Sequence, residues 1–351
     1  MAQTLTRQCF QVEGGQVMTL RGVIALAVAA AVSLAGATWQ LQSNSSGYVE
    51  AQRGERLLPD LLSQANDVVA ITISQAGRDV RIEREGSSYV LGGSGYPVKG
   101  GKFQSAIVAA ASLEKFDAKT SRAEKYPLIE VEPPAGKAAR SRLISFEDAS
   151  GDSLGELILG KKARGRLGGA VGDGQYVRLP QDTQSWLARG VVEADVKLDG
   201  WVDNAITDMN AEHVVRASFQ TTGGPEMVVR RTGVTQGGQS KFELDGIPEG
   251  RKPKNDLTLR YAATDLGNVS FVDVRKDGGG DIVQRTTLMM ADGLVVEFRI
   301  TGDDWVSLHI VNEGTDKITL NDLKARTQGW QYKLADYKLK QLQLTMADLT
   351  E

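Results

Sequence analysis

The chain has 351 residues, 41 lysines and arginines against 44 aspartates and glutamates, a formal net charge of −3 and 41% hydrophobic residues. That is apolar material for one large or two modest domains, and a balance this near neutral excludes the electrostatic footprint of a nucleic-acid binder. The single cysteine, Cys9, excludes an intramolecular disulfide, so packing alone must hold the fold.

Residues 1–21 read as a cytoplasmic segment, with Arg7 and Arg21 against one acid, Glu13. Gly22–Leu41, GVIALAVAAAVSLAGATWQL, follows without a charge. A spanning helix needs about twenty mainly apolar residues to cross a hydrocarbon core of roughly 30 Å, and this run meets that length. No charge follows until Glu50, so the positive-inside bias leaves the amino end in the cytoplasm and exports the rest. The run is rich in alanine and glycine and also fits a signal peptide. Val23–Leu34 has the length of its apolar core, Ala35-Gly36-Ala37 fits the cleavage pattern, and Met18-Thr19-Leu20-Arg21 would be the basic start from a second methionine. The expectation is an uncleaved transmembrane anchor. Cys9 precedes the run and Thr38 stands where a lipoprotein would need its cysteine.

Residues 42–56 read as a polar linker, and two α+β halves are expected after it, 57–200 and 201–351. In the first, Arg56–Leu62 has the pattern of a short helix with Pro59 in its first turn. The period then becomes two: Val69, Ile71 and Ile73, then Val80 and Ile82, then Tyr89 and Leu91, a three-stranded antiparallel meander. After the glycine-rich stretch Gly92–Gly101, the spacing of Phe103, Ile107, Ala110, Ala111 and Leu113 predicts a helix packed on the meander.

The same order recurs. Val214–Phe219, Met227–Arg230 and Lys241–Leu244 repeat the three strands, and Leu257–Leu266 repeats the helix. Ala109–Leu113 aligns with Ala262–Leu266, and the Phe116 region with Val269–Phe271. The hairpin Leu143–Phe146 with Leu154–Leu159 matches Thr287–Met290 with Leu294–Ile300, and Tyr176–Leu179 matches Trp305–Leu308. Each half is therefore an antiparallel meander with a packed helix followed by a β-hairpin, an internal duplication joined near Asp199-Gly200-Trp201. Trp330–Tyr332 reads as a strand. Leu339, Leu342, Met346 and Leu349 have helical spacing, with Asp336 as the N-cap.

Few residues carry a chemical pattern. Gly155–Lys162 nearly fits a phosphate-binding loop, but Lys162 stands where a hydroxyl must meet magnesium and the interior alternates like a strand. Lys161, Lys162, Arg164 and Arg166, followed by the glycines of 168–174, are the candidate site for an anion or lipid headgroup; a solvated hairpin loop explains them as well. Asp277–Asp281 and Gly302–Asp304 place oxygen ligands at turns without the spacing of a calcium loop. The two histidines, His213 and His309, would serve as a base only to a serine brought close by folding, and no nucleophile elbow is present. Trp186, Trp201, Trp305 and Trp330 lie in apolar patterns and read as core. No catalytic, cofactor-binding or metal-ligating set emerges.

Leu58-Pro59-Asp60-Leu61 with Asn66-Asp67-Val68, the Gly95–Val98 loop, Gln175-Tyr176-Val177-Arg178 with Ser185-Trp186-Leu187, and Trp201-Val202-Asp203 together resemble the bacterial family catalogued as domain of unknown function 4340, from about Leu57 to the carboxyl end. This sequence departs from it in the extension Met1–Val17 and the alanine-rich anchor. The resemblance implies a single-pass, membrane-attached extracytoplasmic (periplasmic) protein, encoded beside the permease and ATPase of an ABC-type transport system related to gliding-motility components, and it carries over no catalytic residue. The expected role is a non-enzymatic accessory subunit at the cytoplasmic membrane. A module that binds an anionic ligand between the halves is the alternative.

Overall fold

Period-two alternation builds most of the body. Ala70–Gln75 (β1), Arg78–Glu85 (β2) and Ser88–Leu91 (β3) pair antiparallel, with Ile71, Ile73, Val80, Ile82 and Leu91 buried. Between β1 and β2, Ala76 and Gly77 both take positive φ, 52° and 78°, the turn whose twist matches the strands it joins. The computed structural model describes residues 52–165 and 172–351. The expected cytoplasmic segment, the Gly22–Leu41 run, most of the linker and Arg166 lie outside those residues. Among the described residues no helix is long and apolar enough to cross a membrane.

Lys102–Ala111 (α1) follows, burying Phe103, Ala106, Ile107, Ala110 and Ala111, and Phe103 stacks on Tyr89 of β3 at 4.2 Å between centroids. Then come Glu114–Ala118 (β4), the single turn Tyr126–Ile129 (α2), Arg142–Glu147 (β5), Ser153–Ala163 (β6), Gly174–Arg178 (β7) and Ser185–Arg189 (β8). The second series is Ala205–Asp208 (β9), Val214–Thr221 (β10), Met227–Val234 (β11), Ser240–Leu244 (β12), Asp256–Thr264 (α3), Asn268–Lys276 (β13), Ile282–Met290 (β14), Val295–Thr301 (β15), Trp305–Asn312 (β16), Lys317–Thr327 (α4), Trp330–Leu334 (β17), Asp336–Leu342 (α5) and Met346–Leu349 (α6).

The strands form two antiparallel sheets, so the protein is α+β with few helices. One sheet runs β3-β2-β1-β5-β6-β7-β8-β4, the other β12-β11-β10-β14-β15-β16-β17-β13-β9. Adding nine to each number of the first order gives the second, with β9 added beyond β13. The helix after the third strand falls at the same place in both, α1 and α3. Both sheets belong to one compact unit, Gly54–Glu351, with Phe146, Leu157 and Leu159 in one core and Val296, Phe298 and Ile300 in the other, all fully buried.

Three expectations are corrected. Arg56–Leu62 is no helix but a bridge to Glu114 followed by bends and turns, because the backbone at its start is tied to a distant strand: Leu57 N donates to Leu113 O. Its leucines still reach the core, Leu57, Leu58 and Leu61 being buried. Asp336 is the first residue of α5 and not its cap; Ala335 takes that place without a side-chain bond. The last helical pattern breaks after Leu342, and Thr345 starts α6 with a capping box closed by Asp348. Moreover, β8, β9 and α4 are elements that the sequence pattern had not marked.

Candidate functional site at the seam of the two sheets

The halves meet at an aromatic seam built from the loop after β3. Gly95, at φ 76°, lets the chain double back so that Leu91 N donates to Tyr96 O and Gly95 N donates to Leu91 O, each at 2.8 Å. The loop thereby presents Tyr96 to the other half, where its ring meets Phe271 at 5.3 Å and Trp330 at 4.9 Å, both edge-on, while Phe271 stacks on Tyr332. Lys99 N donates to Trp201 O at 2.8 Å, and the Tyr96 hydroxyl donates to Asp203 O at 3.4 Å. Burial pushes the Tyr96 phenol up to about 12 and the Tyr332 phenol higher still, so both are neutral packing groups at ordinary pH.

Beside this dry contact lie two pockets lined from both halves. One, of about 420 Å³, is bounded by Arg78, Val196, Lys197, Leu198, Asp199, Asn204, Phe271 and Val272. The other, of about 350 Å³, takes Asp79–Arg81, the Leu91–Ser94 loop, Asp273–Arg275 and Trp305, and shares Leu198 with the first. Arg81 is held by Glu83 at 2.6 Å and Glu147 at 2.7 Å. Arg275 lies over the Trp305 ring at 4.2 Å and bonds Asp303 at 3.0 Å. The seam is thus polar-walled beside an apolar lock, an arrangement suited to binding.

The sequence candidates lie elsewhere. Lys161 donates to Leu128 O at 3.0 Å, and Lys162 pairs with Glu193, whose carboxyl that bond holds below its usual range. Arg164 is exposed in the turn after β6, and Arg166 lies outside the described residues. None of the described three lines a seam pocket. The phosphate-loop look-alike is strand β6, and its glycines serve packing: a Cβ at Gly155 would lie 3.2 Å from Leu58, and one at Gly160 only 2.4 Å from Ile129 O.

Asp277 and Asp303 act as turn acceptors, from Gly279 N and the Thr301 hydroxyl, and no metal-holding group of three His, Cys, Asp or Glu occurs among the described residues. Trp186, Trp201 and Trp330 are buried, as expected, while Trp305 is half-buried at the seam. His213 ends a 3-10 turn before β10. His309 has its Nε2 3.0 Å from the Ser307 hydroxyl, within a pocket of about 450 Å³ that also takes in Asp277, Lys324 and Gln328. Burial, then the Arg299 guanidinium, holds this imidazole below its ordinary value and so neutral, and no carboxylate is bonded to its other nitrogen among the described residues.

Several residues that carried the family resemblance hold the fold together. Gln175 bonds Gly160 O and Val192 N, Arg178 bonds the carbonyls of Val131, Leu179, Pro180 and Asp182, and Ser185 both donates to Thr120 O and accepts from its N–H. Tyr96 and Trp201 belong to the seam. The pocket residues Arg78, Asp79, Lys197 and Asp273 were invisible as a set, because only the folded register brings β2 and β13 to one place. No family model, curated protein or solved structure matches the chain.

Proposed function

We propose that this chain is a non-enzymatic accessory subunit of an ABC-type transport system, held by the Gly22–Leu41 run at the outer face of the cytoplasmic membrane. Its role is to bind the permease or a cargo protein through the body Gly54–Glu351. The observation that carries this reading is the seam: two sheets of matching strand order are locked by Tyr96, Phe271 and Trp330 into one unit, with lined pockets beside the lock. The resemblance to the membrane-attached family supports the same role. Affinity purification of the carboxyl-tagged chain from gently solubilised membranes, followed by mass spectrometry, is the test. Stoichiometric permease and ATPase subunits are expected; a solitary protein in every preparation overturns the reading.

A second reading, an anion- or lipid-headgroup-binding module, is favoured by Arg78 and Lys197, which line one seam pocket and form no salt bridge among the described residues. Saturable binding of anionic vesicles, lost on neutralising these two and retained on neutralising Lys161, Lys162, Arg164 and Arg166, would put it first.

A further inference from the structure

Two strand edges border the seam pockets with no neighbouring strand over part of their length among the described residues. β2 pairs with β3 only over Ile82–Glu85, so the side of 78–81 turned away from β1 has no strand on it among the described residues. Arg81 O is taken by Gly92 N at 2.8 Å. By strand alternation the N–H and C=O of Asp79 point the same way as those of Arg81, toward the pocket. On the other wall, β13 pairs with β17 over Phe271–Lys276 but with β9 only over Asn268–Ser270. Asn204 prolongs the β9 side by one residue, accepting from Phe271 N and donating to its carbonyl. Beyond it, the side of 272–276 turned away from β17 has no strand among the described residues, and Val274 N is capped by its neighbour Asp273 Oδ1 at 2.8 Å.

The two open edges run side by side in the same direction. Arg78 shares the pocket of about 420 Å³ with Phe271 and Val272, and Asp79–Arg81 share the next, of about 350 Å³, with Asp273–Arg275; the segment Val196–Asp199 lines the first and its Leu198 also lines the second. An unpaired edge is a template for one more strand, and here both walls of one groove offer it. The charges have a direction too. Arg81 and Arg275 are neutralised by Glu83, Glu147 and Asp303, which leaves Asp79 and Asp273 to make that end acidic. Arg78 and Lys197 outweigh Asp199 at the other.

We propose that this groove binds an extended segment of the partner protein, which adds as a strand along β2 and β13, an acidic side chain toward Arg78 and Lys197 and a basic one toward Asp79 and Asp273. The proposal rests on the accessory reading and says where and in what form the partner docks.

The test uses the full-length chain in detergent, panned against a displayed library of random peptides about ten residues long, the upper range of ordinary strands. Enriched peptides with alternating β-branched residues between an acid and a base are expected. Their affinity should fall about tenfold with Asp79→Pro, which deletes an outward N–H, and be lost with Leu198→Trp, which fills the groove, while Lys137→Ala, at an exposed position that lines neither pocket, leaves it unchanged. Thermal unfolding close to that of the parent shows that each variant is folded. No enrichment, or binding indifferent to both groove variants, overturns the groove. A chain that binds such peptides yet purifies alone from membranes keeps the groove and fails the accessory reading, and copurified transporter subunits without peptide binding do the reverse.

Discussion

Arg178 shows what a conspicuous residue can be for. It is 5% exposed, forms no salt bridge among the described residues, and spends its guanidinium on four carbonyls while lying over the Tyr126 ring at 4.6 Å. Its Nε and Nη1 donate from fixed positions on one plane to carbonyls on two segments, which an ammonium at the end of a flexible stem does not reproduce, so Arg178→Lys should cost about 3 kcal/mol, read by urea unfolding. His309 has a different signature. Its imidazole is held below the ordinary value of 6.5 by burial and by Arg299, so near and below that pH the unfolded chain binds a proton that the folded one refuses. Stability should rise with pH up to about 6.5 and level off above it. Unfolding at pH 5 and pH 8 should differ less in His309→Gln; an unchanged difference would show that His309 does not titrate this way.

At the scale of elements, the meander and the helices α1 and α3 were legible because their period meets burial on one face only. In the structure α3 starts at an N-cap: Asn255 accepts from Thr258 N at 2.9 Å, and Asn255→Ala should cost about 1 kcal/mol in thermal unfolding. Arg56–Leu62 was misread because Leu57, Leu58 and Leu61 have helical spacing, while the backbone at its start is claimed by Leu113 and Glu114, residues far along the chain. Similarly, β8 is short and almost wholly buried, so it lacks the alternation that marks a half-exposed strand.

For the whole molecule the seam is the decisive contact, and it has a pH signature. The phenols of Tyr96 and Tyr332 are both raised, the first to about 12, so the stability they lend is fully present below about pH 10 and is lost as pH rises through the folded value. Alkaline unfolding followed by tryptophan fluorescence, with Trp330 against Tyr96, should begin above pH 10, and Tyr96→Phe should reduce that loss by removing one ionising group from the interface.

The sequence by itself determined the local order of strands and helices and the recurrence of that order, because alternation, helical spacing and turn residues act over a few positions. It also placed Tyr96, Arg178 and Trp201 among the motifs of a family resemblance, without saying what each side chain does. Only the tertiary structure decided that Arg178 serves buried carbonyls, that Lys161 and Lys162 are already engaged, and that β2 and β13 border the same pockets. Those outcomes depend on which distant backbone groups compete for the same hydrogen bonds, and local pattern carries no record of that competition.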